Sequence, residues 1–303
     1  MSKRHFKELY QARAAEGKAV CVGLDLHFDL FPEFLKHRKA PIEDRLYDFA
    51  ERIIERTHDI VLAYKPNIAF YEAYGQAGMT ALTRIIAFIH ETAPGVPVIL
   101  DAKRADIGST NLGYVHAAFD LLKADAITVH PYLGQEALQP FLDQEDKGII
   151  VLCRTSNPGA GEFQDSRVLI GDPEERAFFE QSGWQSGCAM LSVGDQMQAV
   201  VNLYQRVAYR VSRHWNSRGN CALVVGATYP SELRQVRRIA PDLPLLIPGI
   251  GAQGGDVEAT VRSGCDANGQ GMIINSSRGI IYAADPRAEA LRLDGLIRQF
   301  TAA

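Results

Sequence analysis

The feature that most constrains this chain is an eightfold alternation of short, almost wholly apolar runs with longer amphipathic stretches. The runs are AVCVGL (19–24), IVLAY (60–64), VIL (98–100), AITV (126–129), IIVLC (149–153), ALVV (222–225), LLI (245–247) and MII (272–274). A run that is apolar at every position suits a strand of a parallel sheet covered on both faces. Helical periodicity follows the runs, for example over 43–57, 79–91, 110–123, 196–215, 231–240 and 256–263, and a last helical stretch covers 286–300. Eight such units in 303 residues predict the α/β class and a closed (β/α)8 TIM barrel, as a single domain over residues 1–303. The rival, a doubly wound sheet, would carry G-x-G-x-x-G after its first strand, and this chain has none there. About seventy residues separate the fifth and sixth strands, including GAGEFQDSRVLIGDPEE, which predicts an extended insert elaborating one face.

Composition removes several classes of function. Thirty-two Lys and Arg against 36 Asp and Glu give a net charge of −4, which excludes a broad nucleic-acid-binding surface. No apolar stretch approaches the roughly 18 residues of a membrane span. The opening MSKRHFKELYQARAAEGK lacks the apolar core of a signal peptide and reads as an amphipathic helix bearing Phe6, Leu9 and Tyr10. Cys21, Cys153, Cys188, Cys221 and Cys265 are odd in number and scattered, with no C-x-x-C pair. That pattern argues against a disulfide framework and a zinc site, and for a cytoplasmic location.

In a barrel of this kind the chemistry belongs at the C-terminal strand ends. There the chain places Asp25 (GLDLH), Lys65 (YKPNIAFYE), DAKRADIGST, HPYLG, RTSNPGAG, PGIGAQGGD and NSSRGIIYA. Ionisable groups directly after buried runs are costly unless paired. Asp25, Lys65, Asp101 and Lys103 therefore predict a charged cluster at the barrel mouth. Asp101 and Lys103, two apart, share one side if the strand runs through them, and Asp106 lies beyond it. A lysine among carboxylates stays protonated, so it is a poor Schiff-base nucleophile and a good positioned acid. The same residues could equally form a structural ion network. In PGIGAQGGD, glycines including Gly251 precede a helix, so backbone N–H groups can turn to an anion. Gln253 adds a side-chain donor and Arg278 a planar fork, which together predict a phosphate monoester site.

Other polar residues are weaker candidates. His130 reads equally as an acid–base group or a structural one. The histidines show no metal-ligand spacing, Cys153 falls within an apolar strand, and Trp184 and Trp215 read as packing residues.

The chain resembles the orotidine 5′-phosphate decarboxylase family along nearly its whole length, in its longer bacterial-type branch. The anchors are LDLH, KPNIAFYE, DAKRADIGST, TSNPGAG, PGIGAQGG and the late Arg278. The resemblance implies conversion of orotidine 5′-phosphate (OMP) to UMP and carbon dioxide, the last step of de novo pyrimidine synthesis, with no metal and no cofactor. It implies a network of Lys65, Asp101, Lys103 and Asp106. In it Lys103 protonates C6 of the pyrimidine, and Asp101 destabilises the substrate carboxylate. Asp25 and Lys65 would bind ribose hydroxyls, Ser156 the pyrimidine, and Gln253 and Arg278 the phosphate. Asp106 and Thr110 would enter the neighbouring subunit's site, which implies a homodimer. SSRG replaces the G-R of shorter members, and 160–195 has no counterpart in them. The alternatives are a magnesium-dependent phosphosugar barrel enzyme, an inactive nucleotide-binding relative, and a Schiff-base aldolase.

Overall fold

The computed structural model describes residues 4–181, 189–193, 196–250 and 255–301. Five strands come first: β1 (Val20–Gly23), β2 (Ala63–Lys65), β3 (Ile99–Arg104), β4 (Ala126–Val129) and β5 (Gly148–Arg154). The insert follows with β6 (Arg167–Leu169), β7 (Ala189–Val193) and β8 (Gln196–Asn202), and then come β9 (Cys221–Val225), β10 (Leu245–Ile247) and β11 (Met272–Ser276). Eight of these pair in parallel in the order β2-β1-β11-β10-β9-β5-β4-β3, and helices alternate with them along the chain. Single bridges Tyr64–Val98 and Asn67–Asp101 join β2 to β3 and all but close the barrel.

The all-apolar runs conceal a period of two. Cys21, Ile99, Ala126, Ile150, Ala222, Leu246 and Ile273 fill the barrel interior, while neighbours such as Val20, Val22, Ile149 and Val151 pack under the helices. The N-terminal helix Phe6–Ala15 covers the barrel floor with Phe6, Tyr10 and Ala14, while Leu9 is only half-buried. Arg4 anchors it, donating to both oxygens of buried Asp125 at 2.8 and 2.9 Å, and Asp125 also accepts the Val98 N–H at 2.8 Å.

Two elements depart from the periodicity. The second strand begins at Ala63, because the Ile60 and Val61 N–H groups bond to Thr57 O in the turn closing the preceding helix. The predicted helix over 196–215 starts at Leu203, with Asn202 and Gln205 forming a capping box. The segment before it is β8, paired antiparallel with β6 and β7, so the insert contains a small sheet of its own. Tertiary pairing overrides helical periodicity there. Among the described residues, no helix is long and apolar enough to cross a membrane.

Candidate active site

A cavity of about 540 Å³ opens at the C-terminal ends of the barrel strands. Asp25, Lys65, Asp101, Lys103, Ser156 and Arg278 all line it, so six of the ten predicted site residues converge on one volume.

At its centre lies Asp101. Lys65 Nζ donates to Asp101 Oδ2 at 2.9 Å, and Lys103 Nζ donates to Oδ1 at 2.6 Å. Lys65 is buried, whereas the Lys103 side chain is 49% exposed and free to meet a ligand. Burial alone would raise the Asp101 carboxyl, but the charges and hydrogen bonds of the two lysines outweigh it and hold it well below the usual carboxylate range. Burial opposes the Lys65 ammonium in turn, yet Asp101 and Asp25 push that group above the ordinary lysine range. Both members of the pair are therefore ionised at neutral pH.

The D-x-K geometry differs from simple strand alternation. The β3–β4 ladder pairs Leu100 with Ile127 and then Arg104 with Val129, so three β3 residues face one β4 residue, Thr128. Lys103 takes a left-handed φ of 48°, a strain of about 1–3 kcal/mol for a residue with a Cβ. Such bulges re-aim side chains beside active sites.

Two neighbouring walls carry unused hydrogen-bonding capacity. Among the described residues, Asp25 Oδ1 and Asn275 Oδ1 are buried without a partner, and both residues line the cavity. Gly23 is required nearby, since a Cβ there would lie 1.9 Å from Ser277 Oγ.

On the opposite wall, the loop after β5 is held from several sides. Arg154 is buried and forms a two-pronged pair with Asp165 at 2.8 and 3.0 Å, donates to Thr155 O at 2.8 Å and lies over the Tyr229 ring. Gln164 accepts the Thr155 N–H at 2.8 Å and lines the cavity itself. Ser156 backs onto Gly226, where a Cβ would lie 2.6 Å from Ser156 Cα. The start of the insert thus returns to grip the loop from which it departs.

The end where the sequence predicts a phosphate site is lined by Pro248, Gly249, Ile250, Arg278 and Gly279. Arg278 is exposed and opens the one-turn helix Arg278–Ile281. Gly251 and Gln253 lie outside the described residues.

Asp106 and Thr110 do not line the cavity. Asp106 Oδ1 accepts the Ile107 N–H at 2.7 Å, and buried Asn111 clasps the Asp106 backbone at 2.8 and 2.6 Å. Thr110 is exposed, beside Ile107 and Leu112, which leave 61% and 58% of their surfaces open.

The remaining candidates have structural surroundings. The His130 N–H donates to Arg104 O at 3.1 Å, its ring meets the Tyr132 N–H, and it lies off the cavity lining. Cys153 is buried, and burial pushes its thiol above the ordinary range. Trp215 is buried, and Trp184 and Cys188 lie outside the described residues. Among the described residues, no group of three or more His, Cys, Asp or Glu side chains could hold a metal ion. Sequence reasoning missed Thr128, Asn67, Asn275 and Gln164. For Thr128 and Asn275 the available signal was a polar side chain in or directly after a buried run.

Comparison with known proteins gives the chain a family. Residues 18–179 and 186–293 match the model of the orotidine 5′-phosphate decarboxylase / HUMPS family. An orotidine 5′-phosphate decarboxylase of Dechloromonas aromatica (strain RCB) is 46% identical over 276 residues, covering 91% of this chain and 89% of that protein. One from Roseiflexus sp. (strain RS-1) is 43% identical over 299 residues, covering 95% of each. Among solved structures, the Leishmania donovani OMP decarboxylase superposes with a TM-score of 0.77 at 39% identity, over 99% of this chain and 100% of that one. The Leishmania donovani UMP synthase gives 0.80 at 40% identity, and there this chain spans 57% of the longer protein. The chain belongs to the orotidine 5′-phosphate decarboxylase / HUMPS family.

Proposed function

We propose that this chain decarboxylates orotidine 5′-phosphate to UMP and carbon dioxide, without metal or cofactor, in the last step of pyrimidine-nucleotide synthesis. The observation that carries the reading is one ionised carboxylate, Asp101, gripped by two ammonium groups in a cavity that Arg278 also lines. A substrate carboxylate beside Asp101 meets a second anion, and that repulsion vanishes as carbon dioxide leaves. The bond from C6 to the carboxylate breaks, its electron pair stays on C6, and Lys103 Nζ passes a proton to that carbon. Solvent then restores the ammonium. Ammonium groups already neutralise the carboxylate where a divalent cation would need free anionic ligands.

Asp25, with a carboxylate oxygen to spare, and Lys65 bind ribose hydroxyls in this reading. Ser156 meets the pyrimidine. Arg278, with Gln253 and Gly251, grips the phosphate, whose binding energy is realised in the transition state. Residues 1–303 act as one domain, since the insert shares a core with the barrel. The described cysteines are free, in keeping with a reducing cytoplasm.

Asp106 and Thr110 serve the partner's cavity in a homodimer, supported by their place off their own cavity and beside exposed Ile107 and Leu112. Mixing inactive Lys103→Ala and Asp106→Ala proteins should then restore about a quarter of wild-type activity, because half the dimers are mixed and each holds one intact site. No restoration would remove the shared site.

The direct test follows the ultraviolet spectrum of orotidine 5′-phosphate with the purified protein, with and without EDTA. Change to the UMP spectrum in both is expected. Loss with EDTA would overturn the metal-independent mechanism, and no change from folded protein would overturn the decarboxylase reading in favour of a phosphosugar enzyme or an inactive nucleotide binder.

A further inference from the structure

Opposite the Asp101–Lys103 bulge, the ladder between β3 and β4 is interrupted, so backbone N–H groups of β3 lose the carbonyl partners that a regular strand would give them. Two of these, on Ala102 and Lys103, point at one atom. Thr128 Oγ1 accepts the Ala102 N–H at 3.0 Å and the Lys103 N–H at 2.9 Å. Its own hydrogen goes to Asp101 Oδ1 at 2.9 Å, the oxygen that also accepts Lys103 Nζ. Thr128 is 1% exposed, so no water can replace it without a cavity being opened.

A hydroxyl is the smallest group that can perform this task, because it accepts twice while donating once. Valine has the same shape and none of the bonds. Serine has the bonds and lacks one methyl. The left-handed φ of Lys103 is costly for a lysine and needs surroundings that over-determine it. The hydroxyl bonds directly to the strained residue's N–H, and to the carboxylate its ammonium must face.

We infer that Thr128 is a positioning residue for the decarboxylation: its hydroxyl holds the β3 bulge in the strained form that aims Lys103 and fixes the Asp101 carboxylate. The inference rests on the reading of Asp101 and Lys103 as catalytic groups. Thr128 itself acts through those two residues. Removing its hydroxyl therefore lowers the rate of the chemical step and leaves the ribose and phosphate contacts in place.

The test compares Thr128→Val, Thr128→Ser and Lys103→Ala for kcat, KM for orotidine 5′-phosphate, and UMP binding. Thr128→Val should lose about 100-fold in kcat, the scale of a misplacement near 1 Å, with KM and UMP affinity within about threefold of wild type. Thr128→Ser should restore kcat to within about threefold of wild type, because the hydroxyl and not the methyl carries the effect. Wild-type kcat in Thr128→Val, beside an inactive Lys103→Ala, overturns the inference and leaves the functional reading intact. Turnover by Lys103→Ala overturns that reading and the inference with it. A Thr128→Ser enzyme as slow as Thr128→Val also overturns it, since packing would then be the cause. If Thr128→Val fails to bind UMP, Thr128→Ala answers the same question: low kcat with intact UMP binding supports the inference, and normal kcat refutes it.

Discussion

At the floor of the barrel, Arg237 gives its guanidinium N–H groups to the carbonyls of Ala240, Pro241, Leu243, Gly264 and Gly271, at 2.7–3.2 Å. Asp125 is filled in the same manner by Arg4 and the Val98 N–H. At the mouth, Asp25 and Asn275 each keep a buried oxygen without a partner among the described residues, and Lys103 stands half exposed on a strained backbone. Both ends bury charge, but Arg237 and Asp125 at the floor are satisfied by groups of the protein itself, while Asp25 and Asn275 at the mouth hold capacity in reserve among the described residues. An unpartnered buried polar atom costs about 1–3 kcal/mol, and a cavity lined with such atoms regains that when ligand groups arrive. Burial of charge alone therefore does not mark a site. What separates Arg237 and Asp125 from Asp25 and Asn275 is whether the hydrogen-bonding valence is spent.

That contrast can be broken in order of size. Replacing Lys103 with Ala should lower kcat by at least about 10⁴-fold while UMP affinity and thermal midpoint stay near wild type. A kcat within tenfold of wild type would end the proton-donor assignment. Arg237→Ala should do the opposite, costing about 3–5 kcal/mol in urea unfolding with unchanged activity per folded molecule. An unaltered unfolding midpoint would show the floor to be less tightly determined than its five bonds imply. Arg278→Ala should raise KM by about 100-fold through lost charge-assisted bonds to phosphate, and an unchanged KM would remove Arg278 from the anion end.

The smallest effect concerns pH. Burial favours the neutral Asp125 carboxyl, but His90 and Arg4 outweigh it and bring the group down to about 2. A depressed carboxylate contributes stability that is fully present above its unfolded value, near 4, and is lost as pH falls toward 2. The contribution is on the order of 2 kcal/mol, shared between the two partners. Arg4→Ala should thus destabilise most at pH 7 and progressively less as pH falls toward 3, giving a shallower acid limb in urea unfolding between pH 3 and 7. An unchanged curve would show that His90 and the Val98 N–H suffice.

Much of the barrel is legible in the sequence because parallel strands buried on both faces read as short apolar blocks, and all eight blocks became strands. The charged mouth is legible for a related reason: Asp25, Asp101 and Lys103 stand directly after or within such blocks, where an ion needs a purpose. Other features leave weaker traces. Thr128 lies inside AITV, and a threonine is ordinary in any strand. The bulge that makes Thr128 necessary depends on register between two strands, which neither strand records alone. β8 shares its residues' periodicity with the helix that follows, and only its pairing with β6 and β7 separates the two. The duties proposed for Asp106 and Thr110 would depend on a second chain, so one chain's geometry carries only their exposure and surroundings.

The floor helix also bears on the order in which the molecule can be built. Phe6, Tyr10 and Ala14 belong to a cluster that reaches Ile273 on β11, the Phe6 N–H donates to Asp146 O, and Arg13 Nε donates to Val61 O. During synthesis this helix leaves the ribosome before any strand of the barrel, yet its docking surface exists only after strands up to β11 have paired. Its apolar face must wait in solvent for most of translation, so closure of the floor is a late, long-range step of folding. A probe on that helix would report completion of the barrel rather than its beginning.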